Sequence, residues 1–481
     1  MTTETVTPER AGAPTTGHRW RWIALAVILS AEVMDLLDVL VTNLAGPAIR
    51  ADLGGSPAVI QWLGAGYTLA MAVGLVTGGR LGDLYGRRRM FLVGVLGFTA
   101  ASALCALAAG PGTLIAARVV QGLFGALLLP QGLGLIKEMF SADELAAAFG
   151  AFGPVMGLSA VGGPILAGWL VDADLAGTGW RAIFLINVPL GLLAALGALC
   201  FLPESRATRA TRLDLPGVLL VSLGAVLLVH PLVQGRELGW PWWTLAMPVG
   251  AVLVLALFAR YELARQRAGR DPLVVPTLFR RRAFTGGLVA GLAFFTALTG
   301  FSLVFSLYLQ LGLGWSPLRT GLASVPQALG MVLAFVLAGA GLARRLGRRL
   351  IHLGLGVVVA GVAGMLLTLR LVGDDVTPWR LTPALLAVGF GMGLVMAPFF
   401  DIVLSGVDEE ETGSASGTLT AVQQLGGALG VALLGTVFFD VATAGVGHAV
   451  RVTLVAELGL LLVTIAGAFL LPRRAREGVA H

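Results

Sequence analysis

Long apolar runs alternate with short polar connections along almost the whole chain. A helix needs about twenty residues to cross the hydrocarbon core of a bilayer, and runs of that length predict fourteen spans. An even number of spans places both ends of the chain on the same side. The pattern predicts an all-α polytopic membrane protein with spans near residues 22–46, 58–78, 90–109, 113–136, 146–170, 182–202, 214–232, 243–262, 284–308, 318–340, 350–370, 381–404, 415–438 and 452–472.

The amino-acid composition agrees with this pattern. The 481 residues are 57% hydrophobic and only 12% charged, whereas soluble domains carry roughly 25% charged residues. The 67 glycines suit helices that pack closely in lipid, where small residues let backbones approach each other. Cys105 and Cys200 lie inside apolar runs, so we predict neither a disulfide nor a metal site.

The basic residues cluster in the connections between spans. Most of the 33 lysines and arginines would lie on the same side as the termini, for example Arg87–Arg89 and Arg280–Arg282. Because cytoplasmic connections carry an excess of Lys and Arg, we predict cytoplasmic termini and a location in the cytoplasmic membrane. The net charge of +6 then reflects topology and predicts no nucleic-acid partner. Residues 1–20 are polar, so no cleavable signal peptide is expected.

The connection between the second and third spans is the segment Gly79–Arg89, GRLGDLYGRRR. Its glycines, Gly79, Gly82 and Gly86, permit close backbone approach and positive φ angles. Asp83 is a lone carboxylate among cations, and it can pair with an arginine or with a helix N-terminus. A basic turn that only determines topology is the alternative interpretation.

The spacing Gly-x-Leu-x-Asp-x-x-Gly-Arg-Arg in this segment closely resembles the signature loop of the major facilitator superfamily, which lies between the same two helices. The resemblance implies a conformational latch that joins the two halves of the transporter in its outward-facing state. The residues that would form the latch here are Gly79, Asp83, Gly86, Arg87 and Arg88.

A degenerate copy of this segment follows the tenth span. Gly341–Arg349 repeats the pattern with Gly347 in the place of Gly86, but Arg344 replaces Asp83, so no latch is predicted there. The two copies predict two six-helix bundles plus two extra central helices, a known kind of transporter plan, and the resemblance implies that this is a major-facilitator fold. The predicted domains are a cytoplasmic tail (1–21), a six-helix bundle (22–205), the extra helices with basic linkers (206–283), a second six-helix bundle (284–472) and a cytoplasmic tail (473–481).

The first span carries three acids, Glu32, Asp35 and Asp38, which fall on one face of a helix within an arc of about 120°. A carboxylate at the centre of a bilayer costs about 3 kcal/mol, so this face must line a wet cavity or contact polar partners. Because burial disfavours the charged form, these acids are candidates to exchange protons. Neutral, hydrogen-bonded acids with a packing role are the alternative.

The segment Leu37–Pro47 resembles the first-helix motif of the fourteen-helix drug–proton antiporters within the superfamily. Asp38, Asn43, Ala45 and Pro47 match that motif, whereas Leu40 and Gly46 depart from it. The resemblance implies that Asp38 couples transport to protons, with Asp35 as the second candidate.

The fourth span contains Arg118, with Gly122 and Gly125 on the same face and Gln121 beside them. An arginine inside the membrane is a functional hypothesis by default, and a carboxylate is its expected partner. The segment resembles the fourth-helix motif of the family, which implies a role for Arg118 in proton transfer. An ion pair that only stabilises the bundle is the alternative.

The fifth span contains Gly163, Pro164 and Gly168, and glycine around proline predicts a kinked, closely packed helix. These residues resemble the fifth-helix motif that marks exporters, with Ala167 and Ser159 in places where the family has glycine. The resemblance implies export rather than import, and tight packing alone is the alternative.

Aromatic and amide side chains within the spans are candidates to line a substrate cavity, where an aromatic ring would attract a lipophilic cation. Each could instead anchor a helix at the membrane interface or join two helices by a hydrogen bond. The candidates are Asn43, Trp62, Tyr67, Gln121, Gln131, Gln310 and Gln423, with Asn187, Tyr308 and Gln424 as further members.

The sequence shows no nucleotide-binding loop, no zinc-ligand spacing and no nucleophile elbow, so we predict that the protein is not an enzyme. We predict a monomeric secondary exporter of amphipathic drugs that exchanges a lipophilic small molecule for protons across the bilayer. It would use the proton gradient and no cofactor. The alternatives are a narrow exporter of one endogenous metabolite or antibiotic and, from another class, a non-transporting membrane sensor or an intramembrane enzyme.

Overall fold

The computed structural model describes residues 18–205, 213–373, 375–408 and 411–473, and the regular secondary structure of these ranges is helical throughout. Thirteen helical segments in them are long and apolar enough to cross a membrane, by length and composition. The remaining long helix, Arg21–Leu53, is the one that carries Glu32, Asp35 and Asp38. The predicted all-α membrane fold is confirmed.

The helices before the extra pair are α1 (Arg21–Leu53), α2 (Ala58–Tyr85), α3 (Arg87–Ala106), α4 (Pro111–Met139), α5 (Ala142–Gly150), α6 (Phe152–Asp172), α7 (Ala182–Leu185) and α8 (Asn187–Phe201). The extra pair is α9 (Leu215–Gln234) and α10 (Trp242–Arg267). The helices after it are α11 (Arg282–Leu307), α12 (Pro317–Ala323), α13 (Val325–Leu337), α14 (Ala343–Leu346), α15 (Arg348–Val372), α16 (Pro378–Leu404), α17 (Thr412–Val441) and α18 (Val446–Ala468).

The segment Gly79–Arg89 is mostly helix, which the sequence did not indicate. Helix α2 continues to Tyr85, and the chain reverses at Gly86 alone, where φ is 102°. Only glycine adopts such an angle without strain. The degenerate copy also has a positive φ at the matching glycine, Gly347, where φ is 51°, and a second one at Gly341, where φ is 108°. The first copy is therefore a one-residue turn between α2 and α3 rather than an extended loop.

Three predicted spans are each divided into two helices. The breaks fall at Ala151, Ile186 and Ser324, each two or three residues before a proline in the helix that follows. Proline lacks an N–H group and its ring clashes with the preceding turn, so a new helix starts where the missing donor has no cost. These boundaries come from local chemistry and leave the direction of each span unchanged.

Helices α9 and α10 lie at the edge of the molecule. Helix α9 packs against α2 and α17, one from each side of the extra pair, whereas α10 packs mainly against α9. The predicted domain boundaries stay predictions. The tails at 1–17 and 474–481 and the linker at 206–212 lie outside the described residues.

The two halves of the molecule meet at the end opposite Gly86. In α2, the Gln61 amide donates to the Ala432 carbonyl and to Thr436 Oγ1 of α17, both over 2.9 Å. Gln310, just after α11, donates to the carbonyl of Leu44 in α1 over 2.8 Å. The path between the halves is therefore closed at this end of the bundle.

Candidate functional site

A buried ion pair joins α1 to α4. The Asp38 carboxylate pairs with the Arg118 guanidinium, and each side chain is only 1% exposed. The second oxygen of Asp38 accepts hydrogen bonds from Gln121 Nε2 and Asn187 Nδ2, both over 2.9 Å. Both carboxylate oxygens thus have donors, as a charge in a low-dielectric interior requires.

The other groups of this network also have partners. Arg118 donates to Gln121 Oε1 over 2.6 Å and to the carbonyl of Leu63 in α2 over 3.2 Å. Ser102 of α3 accepts from Gln121 Nε2 over 2.7 Å and from Asn187 Nδ2 over 3.2 Å. Side chains from α4 and α8 therefore bond the Asp38 carboxylate directly, and Ser102 of α3 bonds to two of those side chains.

Close packing of α2 against α4 brings the arginine to this point. A Cβ atom on Gly122 would lie 2.4 Å from the backbone carbonyl oxygen of Tyr67, so the helices can approach this closely only with glycine there. Arg118 lies one turn before Gly122, on the same face of α4. Its guanidinium consequently reaches past α2 to the acids of α1.

Tyr67 connects the ion pair to a second acid. Its ring lies 4.2 Å from the guanidinium carbon of Arg118, a cation–π distance. Its hydroxyl donates to the Asp35 carboxylate. Glu32 lies about one further turn along α1 and is 8% exposed, and its Oε1 has no hydrogen-bond partner within the described ranges. The three predicted acids thus occupy one face of α1, and only Asp38 pairs with Arg118.

The predicted latch residues form contacts within one half of the molecule. Arg87 donates to Asp83 over 3.3 Å and to Glu138 of α4 over 3.2 Å. Arg88 donates to the backbone carbonyl of Leu199 at the end of α8. Gly79 lies in ordinary contact with α4. In this conformation the ion pairs connect α2 and α3 to α4.

Gly82 and Gly79 differ in the space around them, and this difference predicts different stabilities for their alanine variants. A Cβ atom on Gly82 would overlap the Gln131 amide, 1.7 Å from Oε1, whereas a Cβ atom on Gly79 would lie 3.8 Å from its nearest neighbour. Gln131 would have to turn away and lose its 2.7 Å bond to the Gly78 carbonyl. We expect Gly82→Ala to lower the free energy of unfolding by about 1–3 kcal/mol and Gly79→Ala to change it little.

Thermal unfolding of the two purified variants in the same detergent tests this expectation. Equal stability of Gly82→Ala and Gly79→Ala would contradict the proposed close contact between α2 and α4.

The predicted exporter residues lie at the seam between the halves. A Cβ atom on Gly168 of α6 would lie 2.4 Å from Leu318 Cα and 2.6 Å from the Pro317 carbonyl of α12. One turn earlier in α6, a Cβ atom on Gly321 of α12 would lie 2.2 Å from the carbonyl oxygen of Pro164. On the other face of α6, Gly163 packs against α1. This motif therefore sets how closely α6 approaches both α1 and α12.

The residues predicted to line a substrate cavity lie at different places. Tyr67, Gln121 and Gln131 are almost fully buried in contacts between helices. Trp62 lines an open cavity of about 380 Å³ beside α9, where its Nε1 donates to Gln234 over 3.1 Å. Gln310 closes the end opposite Gly86. Asn43 and Gln423 are half-buried in α1 and α17.

The sequence did not predict that two members of this network, Asn187 and Ser102, belong to it. Asn187 was only a further cavity candidate, although an amide inside an apolar run is a signal for a buried polar contact. Ser102 carried no signal, because serine is common in closely packed membrane helices. In the structure, Asn187 of α8 donates both to Asp38 and to Ser102 of α3.

The fold and the intramembrane ion pair define a transporter of the two-bundle class. The Major Facilitator Superfamily matches residues 28–431 of this chain. The chain belongs to this superfamily, as the motifs of α1, α2, α4 and α6 indicated. Because the superfamily consists of transporters, the prediction that the protein is not an enzyme is confirmed.

Several bacterial relatives are similar over most of the chain. A probable actinorhodin transporter of Streptomyces coelicolor is 53% identical over 432 residues, which cover 90% of this chain and 75% of the relative. A puromycin resistance protein of Streptomyces alboniger is 39% identical, covering 94% of this chain and 91% of that protein. A tetracenomycin C resistance and export protein of Streptomyces glaucescens is 35% identical, with 88% and 77% covered.

Solved structures confirm the fold at low sequence identity. An auto-inhibited peptide transporter of the POT family superposes with a TM-score of 0.66 at 16% identity, covering 93% of this chain and 96% of that one. At this identity the similarity concerns the fold alone.

Proposed function

We propose that this protein is a secondary active exporter of amphipathic antibiotics and other drugs, driven by proton antiport through alternating access. The observation that supports coupling is the Asp38–Arg118 pair, an ionisable pair buried within the bundle, in which both carboxylate oxygens accept hydrogen bonds. Relatives named for actinorhodin, puromycin and tetracenomycin C support the substrate class. We propose a monomer in the cytoplasmic membrane with cytoplasmic termini.

The proposed coupling rests on charge balance at Asp38. With Asp38 ionised, the charge of Arg118 is neutralised inside the bundle. A proton on Asp38 would leave the guanidinium without its counter-ion and would favour a rearrangement that gives Arg118 another partner. A proton thus shifts the equilibrium between conformations by its different affinity for each of them.

Asp35 and Glu32 extend this proposal along α1. Tyr67 donates to Asp35 and also contacts Arg118. A change of charge at Asp38 would therefore alter the environment of Asp35 through the Tyr67 side chain. Glu32 follows towards the N-terminal end of α1, which is the predicted cytoplasmic end. We propose that these two acids carry protons between Asp38 and that end.

A narrow exporter of a single antibiotic is the second candidate. The relative with 53% identity is named for one compound, actinorhodin, and so are the puromycin and tetracenomycin C proteins. Other relatives, 33% identical, are named as multidrug resistance proteins. The greater similarity to proteins named for single compounds favours this candidate enough to include it in the test.

The test is compound-driven proton movement in proteoliposomes that hold the purified protein and an imposed pH gradient. The panel contains actinorhodin, puromycin, tetracenomycin C and the lipophilic cation ethidium. We expect several compounds to dissipate the gradient, whereas protein-free vesicles do not respond. A response to one antibiotic alone would establish the narrow exporter. Transport of panel compounds without proton movement would overturn antiport.

A further inference from the structure

The turn Gly341–Arg349 has a charge pattern that the proposed transport does not use. It repeats the Gly79–Arg89 turn and has a positive φ at Gly347 as the first copy does at Gly86. In the first copy, Arg87 is neutralised by the carboxylates of Asp83 and Glu138. In the second copy, Arg344 occupies the position of Asp83, so the corresponding carboxylate is missing.

Arg348, which corresponds to Arg87, instead attaches the turn to the end of α18. Its guanidinium donates to the carbonyls of Phe469 over 2.8 Å and Leu471 over 2.7 Å. Its backbone N–H donates to the carbonyl of Arg473 over 3.0 Å. These bonds bring Arg473 beside the arginines of the turn, although the two segments are far apart in sequence.

The result is a cavity of about 600 Å³ in which four of the five described lining residues are arginines. Arg345, Arg348, Arg349 and Arg473 surround it together with Leu346. Within the part of the chain that the structure describes, no carboxylate lies within ion-pair distance of any of these arginines. The cavity therefore concentrates positive charge without a counter-ion from the described protein.

A signal for membrane topology needs only basic residues in a connection. It does not need four guanidinium groups, drawn from two separate segments, around one cavity. Guanidinium groups match phosphate oxygens with paired N–H donors, and like charges held together gain most from an anion between them. We propose that this cavity binds a phosphate-bearing anion, either the headgroup of an anionic phospholipid or a free phosphate compound.

A bound phosphate would have a mechanical effect as well as an electrostatic one. It would connect Arg345 of α14 and Arg349 of α15 to Arg473, which follows α18. The site lies in the half of the molecule that lacks the Asp83–Arg87 ion pair, and it would supply there the negative charge that the sequence omits. Binding does not depend on the proposed antiport, so the two can fail separately.

The test compares two phosphate sources on the full-length protein. In the first arm, the protein is reconstituted in nanodiscs of phosphatidylcholine with phosphatidylglycerol, extracted, and analysed by native mass spectrometry for retained lipid. In the second arm, thermal unfolding in detergent is followed with increasing inorganic phosphate, against sodium chloride of equal ionic strength. The test variant is Arg345→Gln/Arg349→Gln, which leaves the structural bonds of Arg348 intact.

The control variant is Arg280→Gln/Arg282→Gln, which removes two exposed arginines from the same predicted face outside the cavity. We expect the intact chain and the control to bind one of the probes and the test variant to bind it about tenfold more weakly. Retained phosphatidylglycerol identifies a lipid site, and stabilisation by phosphate identifies a soluble ligand. Binding of neither probe, or an equal loss in both variants, would overturn the proposal.

Discussion

We expect Asp38→Asn to reduce compound-driven proton movement by about 100-fold or more, the loss that follows when the proposed coupling group no longer ionises. Asparagine keeps an oxygen for Gln121 and Asn187 but cannot neutralise Arg118, which is 1% exposed. Removing one partner of a buried ion pair costs about 3–5 kcal/mol of folding stability. The measurements are proton flux in proteoliposomes and thermal unfolding of the same preparations.

Asp52→Asn is the matched control for this experiment. Asp52 lies on the same helix and pairs with Arg181 over 2.7 Å, but its side chain is 48% exposed, so little stability or flux should be lost. The double variant Asp38→Asn/Arg118→Gln removes both charges and should recover stability but not proton flux. Recovery of proton flux in the double variant, or full flux in Asp38→Asn, would show that the pair is structural only.

We expect Gly168→Ala to impair transport by about tenfold or more, because the added methyl group would lie 2.4 Å from the backbone of Leu318. Backbone atoms cannot turn aside as a flexible side chain can, so α6 and α12 would have to separate. Separation of α6 from α12 disfavours the conformation in which the two halves are closed at the end opposite Gly86. Alternating access requires that conformation in each cycle.

The measurement is the distance between spin labels at Leu175 and Leu322, two exposed positions near this seam, on a background with Cys200→Ser. We expect Gly168→Ala to shift the distances to larger values. Gly162→Ala is the control on the same helix, because an added Cβ atom there meets no neighbour within 4 Å. Unchanged distances in Gly168→Ala, together with normal transport, would contradict the role of the seam.

Several features of the fold could be predicted because they depend on local sequence. Span length and apolar content indicated the helices. The extension of α2 to Tyr85 could not be predicted, because polar residues at a membrane surface are compatible with helix or with loop. The breaks at Ala151, Ile186 and Ser324 have a local cause in proline, yet Pro130 and Pro164 lie within unbroken helices.

The candidate site was predicted in part. The acids of α1 and the arginine of α4 were recognisable because charge is costly within a membrane. The contacts of Tyr67 were not: the sequence left open whether it lines a cavity or joins two helices, and in the structure its ring lies against Arg118 and its hydroxyl donates to Asp35. Gln131, expected at a cavity, occupies the contact between α2 and α4. An aromatic or amide residue has the same sequence signal in a cavity as between helices.

The sequence by itself determined that this chain is a helical membrane protein of the major facilitator superfamily, because hydrophobicity, charge bias and motif spacing are read along a single chain. Only the tertiary structure decided that Asp38, rather than Asp35 or Glu32, pairs with Arg118, and that four arginines of the second half share one cavity. The Asp38–Arg118 ion pair and the hydrogen bond from Arg348 to Phe469 each join residues 80 or more positions apart. They depend on how closely helices pack at Gly122 and on where the chain returns after α18, which no local pattern encodes.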